Sequence, residues 1–115
     1  MTTILQVEYH VTPLSVREEI LQSLGHPVVS ALGSRAARNL VLSTLQVGVV
    51  VIGHGAPRQE RRELVDHFRK ALPGVAIVAL LGRRDQAFIQ ADVNCPADDP
   101  HQWVRIVSQA LAGIG

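Results

Sequence analysis

The 115-residue chain suits one domain over residues 1–115, with 47% apolar side chains to build its core. A net charge of +1 exerts no pull toward nucleic acid or an anionic membrane, and four aromatic residues (Tyr9, Phe68, Phe88, Trp103) make no stacking platform. The single cysteine, Cys95, excludes a disulfide framework and a cysteine zinc site, no apolar run nears the ~20 residues of a membrane span, and "MTTILQVEY" lacks a signal peptide's basic start, so a reducing, cytoplasmic setting is expected.

In chain order, "TILQV" (3–7) reads as a first strand. A helix over 12–25 follows, with Thr12 as N-cap, Pro13 in its first turn, Val16, Ile20 and Leu24 as an inward stripe with Leu21, and Gly25 as its stop. "HPVVSAL" (26–32) is a second strand, and Ser34 is placed to cap a helix over 35–45. "QVGVVVIG" (46–53) is the most apolar segment and should be the central strand, buried on both faces. The next helix, 57–74, carries Leu64, Phe68 and Leu72 on one face and charged residues on the other, and Pro73-Gly74 ends it. "VAIVALL" (75–81) is a fourth strand and "ADVN" (91–94) a brief fifth. Asp99 caps a last helix over 100–113, with Trp103, Ile106, Val107, Ala110 and Leu111 facing inward.

Strands alternating with helices imply βαβ units and a parallel sheet covered on both faces. Ligands of such sheets sit beyond the carboxyl ends of the strands. The groups expected there are Glu8 to His10, Gly53 to Ala56, Leu81 to Arg84, and Cys95-Pro96. Gly53 and Gly55 belong to no phosphate-binding loop pattern, so their expected role is to let the chain turn after a buried strand.

From Ile4 to about Leu111 the chain resembles a response-regulator receiver domain. "ILQVEY" resembles the family's opening strand with its acidic pair, and "REEILQSLGHPVVSALGSRAARNL" its first helix, second strand and second helix. "VGVVVIGHGAP" resembles the third strand, phosphoacceptor and following proline, "LPGVAIVALL" the fourth strand, and "CPADDP" the Lys-Pro turn before the last helix. The resemblance implies a flavodoxin-like (CheY-like) α/β three-layer sandwich with strand order 2-1-3-4-5. The stretch from Leu81 to Cys95 is too short for the family's fourth helix, which should be missing or reduced to a turn.

The family's chemistry uses an acidic pair for Mg²⁺, an aspartate that takes the phosphoryl group, a Ser or Thr, and a Lys. Carried over, the pair becomes Glu8 and Tyr9, the phosphoacceptor Gly53, the Ser/Thr Leu81, and the Lys Cys95. Tyr9 is no Mg²⁺ ligand near neutral pH, Gly53 takes no phosphate, Leu81 has no hydroxyl and Cys95 is no permanent cation. The implied function is that of a degenerate receiver, not an enzyme and without a cofactor. It would act in two-component signalling by binding another protein: a histidine kinase, an output protein or a second copy. Phe88, Ile89, Arg83 and Arg84 are candidates for that surface, with the apolar pair exposed.

Other readings stand beside it. Glu8, His10 and His54 suit a Zn²⁺ or Ni²⁺ cluster, or His10 and His54 are solvated loop residues. "GHGAPRQERREL" also resembles the His-Gly-Ser stretch of small tetrapyrrole metal chelatases, which implies metal handling by His54. Arg58, Arg61, Arg62, Arg83 and Arg84 form either an anion-receiving edge or a solvated helix face. Cys95 is either a redox-sensitive thiol or a small core residue.

Overall fold

Four runs rich in β-branched and aliphatic residues become the strands β1 (Thr3–Glu8), β2 (Val28–Leu32), β3 (Val47–Ile52) and β4 (Ala76–Leu81), and the short segment VNCP becomes β5 (Val93–Pro96). The helices between and after them are α1 (Val11–Gln22), α2 (Ser34–Arg38), α3 (Arg58–Ala71) and α4 (Pro100–Ala112). The computed structural model describes residues 2–88 and 90–113. No helix among them is long and apolar enough to cross a membrane.

The strands form one sheet in the order β2-β1-β3-β4-β5, and every neighbouring pair is parallel. Successive side chains of a strand point to opposite faces, so each strand divides its residues between two layers. Ile4, Val49, Val51, Val78, Leu80 and Cys95 meet Leu21 of α1 and Trp103, Val107 and Leu111 of α4. Leu5, Val7, Val50, Ile52 and Ile77 meet Ala37 of α2 and Leu64, Val65 and Phe68 of α3. Both faces of β3 are buried, as expected of the middle strand. Trp103 is core, and the Asp99 carboxylate caps α4 by accepting the Gln102 N–H at 3.2 Å.

Several expectations change. Helix α1 begins at Val11, after an extended His10, so Thr12 lies inside the first turn and is not the cap. Of the stripe expected to face inward, Ile20 and Leu24 are half-buried and Val16 is 51% exposed. Helix α2 stops at Arg38, because Val41, Ser43 and Thr44 are poor helix formers and the Thr44 hydroxyl bonds the Val41 carbonyl. Gly33 precedes that helix and Ser34 is its first residue, its hydroxyl turned to Tyr9. Strand β5 starts later than expected because Asp92 clamps its entry: the Ile77 N–H donates to the Asp92 carboxylate at 2.7 Å, and the Asp92 N–H donates to the Ile77 carbonyl. Pro96 is tolerated there because β5 is an edge strand.

Between β4 and β5 the described residues contain no helix. The segment's carbonyls and carboxylates still need donors, and three arginines of α3 supply them. Arg58 donates to the carbonyls of Gln86 (2.5 Å) and Ala87 (2.9 Å). Arg61 donates to both oxygens of Asp85, at 3.0 and 2.9 Å. Arg69 donates to the carbonyls of Val75 and Gln90 and to the Asp92 carboxylate. Phe88, expected on the surface, is only 2% exposed and lies beneath the guanidinium groups of Arg58 (4.2 Å) and Arg61 (5.2 Å). Asn94 fixes it there, accepting the Phe88 N–H and donating to its carbonyl. Ile89, the other apolar candidate, lies outside the described residues.

Phe88→Ala is therefore expected to lower the unfolding free energy by about 3 kcal/mol, as a buried aromatic does. Urea unfolding checks this. A loss of under about 0.5 kcal/mol is the behaviour of an exposed side chain and contradicts the packing.

Candidate functional site

The carboxyl ends of β1, β3 and β4 meet at one edge of the sheet, and strand alternation decides what each residue does there. Ile4, Gln6 and Glu8 share the face of β1 that looks toward α1, while Leu5, Val7 and Tyr9 share the other. Glu8 and Tyr9 therefore do not form a pair. Tyr9 packs into the α3-side layer, and its hydroxyl meets Ser34 at 3.1 Å. Burial pushes its phenol pKa up, against the lowering effect of the Ser34 bond.

Glu8 is 2% exposed and forms an ion pair with Arg17 of α1. Nothing in the local sequence marks Arg17, which lies nine residues along the chain and two turns into α1. The signal that was available is energetic: a carboxylate at the end of a buried strand needs a counter-charge or a metal. Beneath this pair, Gln6 donates to the Leu14 carbonyl at 3.0 Å and to the Ser30 hydroxyl at 2.8 Å. Ser30 in turn donates to Glu18 at 2.8 Å. The first half of α1 is thus seated on the sheet by polar contacts.

Gly53 stands where the resemblance puts the phosphoacceptor. Among the described residues only Gly25, Gly33 and Gly74 have positive φ, so Gly53 is not needed for the turn expected of it. Its role is spatial: a Cβ there would fall inside the Glu8 carboxylate. Glu8 occupies the volume that a side chain at position 53 would need, and Arg17 holds it in place. Gly55 is similarly covered by the His10 ring, and Gly82 by the His54 ring, whose Nδ1 would lie 3.2 Å from a Cβ there.

These placements separate Glu8, His10 and His54. Among the described residues no group of three or more His, Cys, Asp or Glu side chains is arranged to hold a metal ion. The residues at the edge do not fit Mg²⁺ either, because the Glu8 carboxylate is committed to Arg17 and Tyr9 points to the other layer. Leu81, His54 and Arg83 do come together, lining a cavity of about 210 Å³ with Gly82, Ala97 and Asp98. Cys95 lies below it, fully buried in the α4-side core. Burial pushes its thiol pKa up and the nearby Asp99 adds to this, which suits a small core residue rather than a redox-sensitive thiol.

The five arginines do not behave as one group. Arg61 is 3% exposed, turned inward onto Asp85, and Arg58 is spent on loop carbonyls. Arg62, Arg83 and Arg84 are exposed, with Arg83 4.0 Å from Asp98. Neither an anion-receiving edge nor a fully solvated helix face describes them. The Arg61 bonds hold the Asp85 carboxyl below the usual carboxylate range against the opposing effect of burial, helped by the Gly82 N–H and the charge of His54. At Asp92 burial acts upward, and the bonds from Arg69 and the Ile77 N–H outweigh it, so its pKa is also lowered.

No family model matches the chain, and no curated relative matches it. Solved structures do. A response regulator receiver domain protein from Clostridium thermocellum is 18% identical with a TM-score of 0.83, the match covering 97% of this chain and 95% of that one. The signal receiver domain of an HD domain-containing protein from Pseudomonas fluorescens Pf-5 gives the same identity, coverage and score. The response regulator TrrA from Thermotoga maritima, solved in complex with Mg²⁺-BeF, is 20% identical with a TM-score of 0.80, covering 96% and 100%. The chain has the CheY-like, flavodoxin-like fold of these receiver domains.

Two outcomes are expected at this edge. Gly53→Ala costs about 1–3 kcal/mol in the native protein through overpacking. In a Glu8→Ala background the same change is neutral or stabilises by up to about 1 kcal/mol, since the backbone accepts alanine. A double-mutant cycle in urea reads the coupling, and additivity contradicts the contact. Acid unfolding tests Asp85. A lowered carboxylate pKa contributes stability above the unfolded value of about 3.9, lost as pH falls through the folded value. Asp85→Asn is thus less stable than the native chain near pH 7, and the gap narrows below about pH 4.

Proposed function

We propose that this chain is a receiver-like domain of two-component signal transduction that works by binding another protein and does not accept phosphate. The observation that carries this reading is the Glu8 carboxylate lying in the side-chain space of Gly53, paired with Arg17. A phosphoryl switch needs a nucleophilic carboxylate, a metal to neutralise the transferred charge, and a hydroxyl and a cation to hold the product. At the corresponding positions stand Gly53, Glu8 with Tyr9, Leu81 and Cys95. An internal guanidinium takes the place that a metal would have against the acidic side chain, so the edge is electrically balanced without any ligand.

On this reading the domain is not an enzyme. Its partner is a histidine kinase, an output protein or a second copy, met through surface rather than chemistry. Arg83 and Arg84 remain candidates for that surface, being exposed; Phe88 is withdrawn from it by its burial. Metal handling by His54 has no support of the same kind, since its ring lies on Gly82 beside the carboxylate that Arg61 holds.

An amide-resolved NMR titration with Mg²⁺ and beryllofluoride tests the proposal. The resonances of Glu8, Gly53 and Leu81 are expected to stay in place. Saturable shifts at those three residues would mean that the edge still takes a metal and a phosphoryl mimic, and the proposal would fail.

A further inference from the structure

The stripe of Val16, Ile20 and Leu24 on α1 is an apolar pattern that the fold covers only in part. Ile20 and Leu24 lean on the core from outside, and Val16 is 51% exposed. Facing them across a furrow is the outer side of α4. The two helices enclose a cleft of about 630 Å³, floored by Ile20, Leu24 and Val104 and bordered by His101 and Arg105. A second hollow continues it toward the start of α1, sharing Ile20 and Pro100 and reaching Val16 and Trp103.

Three features narrow what fits. The volume falls in the range of small-molecule sites, about 300–1,000 Å³, whose walls are mainly apolar with a few placed polar groups. The charge is one-sided: Arg105 borders the cleft with the His101 ring beside it, and no carboxylate lines it. Among the described residues Arg105 makes no ion pair, so its guanidinium is free to receive an anion. The shape is a trough along α4 from His101 to Ser108, roughly 10 Å at 1.5 Å per residue.

We infer that the α1–α4 cleft binds a small amphiphilic carboxylate, its alkyl chain laid over Ile20, Leu24 and Val104 and its head group held by Arg105 and His101. Both halves of the ligand are required. The apolar floor alone takes an uncharged chain weakly, and the guanidinium adds a charge-assisted bond that an alcohol cannot match in kind. This inference does not rest on how the strand-end edge is read, because Glu8, Arg17, Gly53 and Leu81 do not line the cleft, and Arg17 borders only the second hollow.

Methyl-resolved NMR with decanoate, and with 1-decanol as its uncharged match, is the test. Decanoate is expected to shift the methyl resonances of Ile20, Leu24 and Val104 saturably. Arg105→Gln is expected to weaken decanoate about tenfold and leave decanol unchanged. Ser108→Trp, at an exposed position, fills the trough and weakens both. Absence of those shifts overturns the inference, as does an Arg105→Gln variant that binds decanoate as the native chain does. Shifts of the same methyls on raising protein concentration alone would make a second copy the occupant and overturn it equally.

Discussion

The contact between Glu8 and Arg17 over Gly53 sets the terms for much of this molecule. A carboxylate at the end of a buried strand loses its hydration, and leaving it unpaired costs several kcal/mol. Arg17 can reach it only if α1 lies close along β1, and the polar column of Gln6, Ser30 and Glu18 holds the helix at that distance. Glycine at position 53 is what leaves room for the carboxylate. A helix seated by polar groups buries little of its apolar stripe. Only Leu21 of α1 is fully buried, while Val11 and Val16 face outward at 64% and 51% exposure. The unspent apolar surface beside α4 is thus a consequence of how the strand-end acid is neutralised.

A second arrangement does for β4 and β5 what Arg17 does for β1. Where the described residues have no helix between those strands, backbone carbonyls and an aromatic ring still need cover. Arg58, Arg61 and Arg69 project from one side of α3 and supply donors at three heights along the segment. Arg61 reaches full burial because Asp85 neutralises it and Phe88 stacks below it. Arginine suits this better than lysine would, since its planar fork serves two acceptors and also lies flat on a ring.

The order of strands and helices was legible because alternation of apolar runs with helical periodicity leaves few topologies for a parallel sheet. Each strand was placed within a few residues, and Asp99 was recognisable as a cap from its position before Pro100. What was not legible depends on partners far apart in sequence. Arg61 reads as one more charge on a polar helix face until Asp85, 24 residues later, is brought against it. Phe88 reads as stranded in a short loop until two guanidinium groups close over it. Gly53 reads as a turn residue, since nothing local says that its missing side chain makes room for Glu8. The period-2 rule alone would have separated Glu8 from Tyr9, because neighbours on a strand never share a face.

The two neutralised clusters also bear on where the domain can respond to anything. A conformational switch needs two states separated by a few kcal/mol and an input that favours one of them. At the sheet's carboxyl edge, movement of β1 or of the segment after β4 would separate Glu8 from Arg17 or Asp85 from Arg61. Each pair has one buried member, Glu8 or Arg61, which would be left without its counter-charge. The His54 ring rests on Gly82 and the His10 ring on Gly55. The outer face of α1 carries no such ties: its apolar residues are half-buried or exposed, and the cleft beside them is bordered by Arg105, which makes no ion pair among the described residues. Binding energy spent on that outer face need not separate either pair, so on the proposed reading the α1–α4 side is where a ligand or a partner can bias the domain.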